Sequence, residues 1–247
     1  MANWNDPQPR NTGFGASPSL EGTTASRAGY DAGLRRYMLS IYNYMASGVL
    51  LTGIVALLMA RSGMALTLMT TPLRWIFILS PLAIVFAMSF GQGKFSTGTL
   101  KTLFWAFATL MGVSMSTIFL VYTGQSIATT FFATAAAFAG LSLYGYTTKK
   151  DLSGFGSFLI MGVVGILIAM VINIFLQSTI LQLAVSILGV LIFAGLTAYD
   201  TQMLKRQYYA VAGTEWAGKA VVMGALSLYL DFINMFQFLL QFLGSRD

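Results

Sequence analysis

VVMGALSLYLDFINMFQFLLQFLG, residues 221–244, is a bilayer-length apolar run with an acid, Asp231, near its middle. At 100° per residue, Gly224, Ser227, Asp231, Asn234 and Gln241 fall on one side of a helix, and Gln237 sits at the margin. Leu, Phe, Ile, Tyr and Met fill the other side. A helix facing lipid all round has no use for such a stripe. This one is expected inside a bundle, its polar line turned toward protein or water. The rest of the chain then reads as a jacket around it.

Composition agrees with a chain built for lipid. Of 247 residues, 56% are hydrophobic and only 9% charged, against about 25% charged in soluble domains. There is no Cys and no His. That excludes disulfides, thiolate and histidine metal sites, Cys nucleophiles and Ser-His relays. The net charge of +6 is the mark of a cytoplasmic face rather than of nucleic-acid binding.

Residues 1–33 are rich in Asn, Gly, Ser, Thr and Pro, and are expected to form a disordered cytoplasmic tail rather than a signal peptide. The remainder, 34–247, reads as one domain with seven spans. They fall near 37–60, 75–91 (with Pro81 inside), 102–123, 127–146, 155–177, 180–203 and 221–243, close to the ~20 residues that cross a bilayer. Residues 124–126 and 177–179 make two tight hairpins. Gly112 with Ser116, and Gly162 with Gly165 and Ala169, are small-residue sites for close helix approach.

Basic residues set the orientation. The tail, Lys94 and Lys101, Lys149 and Lys150, and Lys205, Arg206 and Lys219 share one side. Only Arg61, Arg74 and Arg246 fall on the other. The amino terminus is therefore expected inside and the carboxyl terminus outside.

Asp200 and Asp231 are the only acids within the spans. Asp200 ends the sixth span, with Thr197, Gly189, Ser186 and Gln182 on its face. It lies five residues before Lys205, roughly 7–8 Å from the inner surface. Asp231 lies at a similar depth if residues 215–219 extend the last helix beyond the hydrocarbon. Two carboxylates at one depth in a low dielectric cannot both ionise easily, so they are expected to share a proton and titrate as a unit. Ionised, the pair is a weak, transient calcium site; sharing a proton, it is an internal hydrogen bond. Ser227 and Asn234 are expected to support it, and Lys94 lies near enough to reach it.

Three stretches carry a family resemblance: SLYGYTTKKDLSGFGSFL at 142–159, GLTAYDTQ at 195–202 and ALSLYLDFINMF at 225–236. With the seven-span pattern, the chain resembles the Bax inhibitor-1 (transmembrane Bax-inhibitor-motif, or lifeguard) family over residues 30–244, most of all its bacterial inner-membrane branch. The resemblance implies an all-α membrane fold whose last helix is central and wrapped by two three-helix layers. It implies a pH-sensitive calcium leak with an aspartate pair as sensor, at positions matched here by Asp200 and Asp231. In members with this activity an arginine near the inner end of the second helix latches one aspartate. Lys94 is nearest that position, and a lysine cannot pair bidentately as an arginine does.

The functional expectation is a multi-pass inner-membrane protein that leaks calcium or other cations. No cofactor, no catalytic residue and no nucleic-acid partner are expected; lipid and the permeant cation are the partners. The alternative is a non-conducting adaptor that regulates another membrane protein, such as a membrane-bound protease. Tyr199-Asp200 resembles half of an intramembrane aspartyl protease site, but Asp231 follows Leu228, Tyr229 and Leu230 rather than a Gly-x-Gly turn. No inverted repeat suggests a carrier, and the last span has no central Lys for a Schiff base.

Overall fold

The computed structural model describes residues 20–245. Within them lie nine helices: α1 (Leu20–Arg61), α2 (Met64–Thr70), α3 (Arg74–Gly91), α4 (Thr97–Met115), α5 (Ile118–Val121), α6 (Gly124–Thr147), α7 (Ser153–Leu176), α8 (Thr179–Val211) and α9 (Trp216–Leu243). Seven helical stretches are long and apolar enough to cross a membrane, with α4 and α5 counting as one. The expected all-α, seven-span architecture is therefore present.

The central place of the last helix follows from burial. Across its most apolar window α9 is 67% buried, whereas α7 is 11% buried and no other span exceeds 33%. α9 packs against α8, α1, α6 and α4. α4 also carries α1 and α3 on its flanks, and α8 carries α6 and α7. Lipid tails are as apolar as Leu, so close fit rather than water exclusion must hold such helices together. Gly145 is one such fit: a Cβ there would lie 2.2 Å from the Ala198 carbonyl oxygen. At Gly189 a Cβ would meet the Phe238 ring at 2.5 Å. Gly112 approaches the Thr52 carbonyl and Gly162 meets Ile192, but Gly165 faces open space and is no packing site.

Pro81 lies inside α3. Its ring has no N–H, so the carbonyl four residues back, Phe77, loses its helical partner. Two hydroxyls replace it: Ser114 of α4 donates to Phe77 O at 2.6 Å and Ser80 at 3.2 Å. A backbone gap in an apolar layer is thereby closed by a neighbouring helix, which also ties α3 to α4.

Several boundaries differ from the sequence reading. Residues 1–19 of the expected tail lie outside the described residues. From Leu20 onward the chain is helical and runs into the first span, because Ala25, Ala28 and Ala32 continue α1 with no proline between. The third span is not one rod; it breaks between Met115 and Ile118. Gly124, Gln125 and Ser126 open α6 rather than forming a loop, with Thr123 capping the Ser126 N–H. Gln177 takes the left-handed conformation that ends α7, and Ser178 caps α8. The chain between the sixth and seventh expected spans, 204–220, is mostly helix: α8 continues to Val211 and α9 starts at Trp216.

Candidate functional site: two aspartates between α8 and α9

α8 and α9 form an antiparallel hairpin, and their polar stripes face each other along it. Near the end remote from the Lys-rich loops, the Ser186 hydroxyl lies 3.3 Å from Gln241 Oε1. Gly189 then admits the Phe238 ring. Further along, Ser227 of α9 donates a hydrogen bond to Asp200 Oδ2 of α8. Periodicity therefore placed the stripe on the correct face.

Ser227 lies four residues, and so about 6 Å, along α9 from Asp231. Asp200 is thus one turn nearer the Lys-rich end than Asp231. The two acids lie on facing helices, and no hydrogen bond joins their carboxyls. The internal hydrogen bond expected of a proton-sharing pair is therefore not among the hydrogen bonds of the described residues, and one of the two Asp200 oxygens is held by Ser227. Asp231 is 4% exposed, and its Oδ2 has no hydrogen-bond partner among the described residues.

Asn234 does not join the pair. Its amide donates to Leu230 O of its own helix at 2.8 Å, which satisfies it locally. Lys94 is exposed beyond the end of α3; its backbone N–H donates to Gly91 O at 2.9 Å, and its side chain makes no hydrogen bond or ion pair with any described residue. The lysine that does bridge α9 to the end of α3 is Lys219, which donates to Gln92 O at 3.3 Å and stacks over Trp216. Lys205, the first basic residue after Asp200 on α8, is engaged elsewhere. It donates to Tyr146 O at 2.8 Å and lies 4.9 Å from that ring's centre. Among the described residues, no third Asp or Glu joins the two acids in a metal-ligand cluster.

Three features around the pair escape a sequence reading. Thr52, Tyr229 and the Ala108 carbonyl form a buried knot joining α1, α9 and α4. The Tyr229 hydroxyl lies 2.7 Å from Thr52 Oγ1, which reaches Ala108 O at 2.8 Å. Beside Asp200, Thr201 is 3.0 Å from Ser142, which is in turn hydrogen-bonded to the Tyr42 hydroxyl of α1. Third, the loop before α7 is clamped onto α8. Gln202 accepts from Leu152 N at 2.9 Å and donates to Lys150 O at 2.8 Å, while Arg206 reaches Asp151 and Ser153. The Ser153 backbone N–H, its side chain and then Arg206 hold the exposed Asp151 carboxyl down to about 2. Gln202 and Asp151 both lie in the quoted motifs, which is the one signal that pointed toward them.

The arrangement offers two acids at different levels of one buried seam. One is anchored by a hydroxyl and the other is unpaired. Such a seam can exchange protons and can offer oxygen ligands to a cation.

Similarity to known proteins covers nearly the whole helical domain. The family described as inhibitor of apoptosis-promoting Bax1 matches residues 34–247. An uncharacterised protein of Caulobacter vibrioides is 48% identical over 87% of this chain and 91% of its own length. One from Rickettsia prowazekii is 44% identical over 91% of this chain and 95% of its own. The inner membrane protein YbhL of Escherichia coli is 45% identical over 87% of this chain and 94% of its own. Sequence motifs, seven spans and full-length relatives agree: the chain belongs to the Bax inhibitor family of membrane proteins.

Proposed function

We propose that this protein is a non-enzymatic cation leak of the inner membrane, with calcium as its substrate ion and the Asp200–Asp231 pair as its proton-responsive gate. The observation that carries the reading is Asp231, a carboxyl buried at the centre of the bundle with one oxygen unpaired and a second acid one turn away. Calcium takes 6–8 oxygen ligands. Two carboxylates, Ser227 and backbone carbonyls supply only some of these, with water supplying the rest. Weak binding suits conduction, because the ion must also leave. Protons and calcium compete for the same oxygens, so calcium occupancy rises with pH. The basic end faces the cytoplasm, which puts the amino terminus inside.

Calcium flux from sealed vesicles containing the purified protein, recorded from pH 5 to 8, tests this. The wild-type rate is expected to change across the titration of the pair, and Asp231→Asn is expected to flatten that change. A profile that Asp231→Asn leaves intact overturns the gate. If no calcium moves at any pH, the protein is a non-conducting regulator of another membrane protein.

A further inference from the structure

A groove of about 650 Å³ runs between α1 and α6, and its walls are chiefly apolar: Met38, Leu39, Phe138 and Leu143 among them. Its polar residues are few and differ by position. Tyr42 and Ser142 lie along the groove hydrogen-bonded to each other, so its floor demands no polar partner. Arg35 and Tyr146 stand at one end. Antiparallel helices put both toward the same end, Arg35 about two turns before Tyr42 and Tyr146 about one turn after Ser142. The groove thus spans about 12 Å from Phe138 to Tyr146, with its charge confined to the Lys-rich end.

That charge is available. Among the described residues the only ion pair is Arg206 with Asp151, and Arg35 is exposed. Lys205 adds a second cation against the Tyr146 ring. An apolar slot with a cationic rim at the end of a span matches the two halves of a lipid: chains along the floor and an anion at the rim. A volume of this size lies within the range of ordinary ligand pockets. We propose that the α1–α6 groove is a binding site for a phospholipid with an anionic headgroup, with Arg35 as the headgroup contact. The Ser142–Thr201 hydrogen bond places this lipid two hydroxyls from the residue that follows Asp200.

Native mass spectrometry of the full chain in detergent, titrated with phosphatidylglycerol or with phosphatidylcholine of matched chains, tests the site. Phosphatidylglycerol is expected to bind about fivefold more tightly, the ~1 kcal/mol contributed by one basic residue near an anionic lipid. Arg35→Gln is expected to abolish the preference, Arg35→Lys to retain most of it, and Lys149→Gln, outside the groove, to leave it unchanged. Leu143→Trp is expected to fill the groove and weaken both lipids. Equal binding of the two lipids by the wild type overturns the proposal. So does a preference that survives Arg35→Gln, or phosphatidylglycerol binding untouched by Leu143→Trp. Displacement by inorganic phosphate would assign the rim to a free anion and overturn the lipid.

Discussion

α9 and α7 are both full-length spans, and they invert the rule that holds in water. α7, residues 153–176, has one polar residue in its second half, Asn173, which caps the turn by accepting from Ser178 N. It is nevertheless the most exposed span. α9 carries an acid, a serine, an asparagine and two glutamines and is the most buried. In a bilayer the surrounding medium already satisfies apolar side chains, so the polar helix is the one driven inward. Burial here follows hydrogen-bonding need and close fit, not apolarity.

The sharpest way to break this contrast is a matched truncation. Leu228 of α9 is fully buried and Leu167 of α7 is 55% exposed. Leu228→Ala leaves a cavity and should cost about 2–5 kcal/mol, whereas lipid fills the gap left by Leu167→Ala and stability should barely move. Unfolding in mixed micelles reads both, and equal losses would refute the inside-out assignment. Next in size is a glycine pair. Gly145→Ala drives a Cβ against the Ala198 carbonyl and should cost about 1–3 kcal/mol. Gly165→Ala on α7 meets nothing and should be neutral or stabilising by the same assay.

A hydroxyl deletion comes third. Tyr229→Phe keeps its contacts with Phe104 and Phe107 but loses the bond to Thr52, and should cost about 1 kcal/mol. An unchanged unfolding midpoint would remove Thr52–Tyr229 as a tie between α1 and α9. The smallest effect lies outside the spans. Asp151 is held to about 2, below its ordinary 3.8, so its contribution to folding is present above pH 3.8 and fades as pH falls toward 2. Asp151→Asn should therefore leave stability near pH 7 little altered, because exposed pairs are screened. It should also flatten the melting profile between pH 4 and 2; an equally steep acid profile would discount the clamp.

Local chemistry explains how much of this was legible beforehand. The α9 stripe could be read because its register is set within 18 residues, from Gly224 to Gln241, and the facing α8 stripe was found the same way. Membership of the seven-span class and the place of the last helix were likewise legible. The axial offset of Asp200 from Asp231 was not, since one helical turn depends on how α8 slides along α9. Thr52 meets Tyr229 across 177 residues, and each looks like an ordinary span residue in its own window. Lys94 was assigned from loop position alone, which says nothing about where a flexible side chain ends up. The extension of α8 through Val211 was hidden by polar residues that resemble a loop but break no helix.

The far end of α9 is laced down as well. Ser245 O accepts from Thr123 N at 3.2 Å, and Ser245 N donates to Ser126 Oγ at 3.0 Å, so the last described residue is stitched to the start of α6. Anyone attaching a purification handle or fluorophore to this carboxyl terminus would be pulling on that stitch, and through it on the helix that carries Asp231.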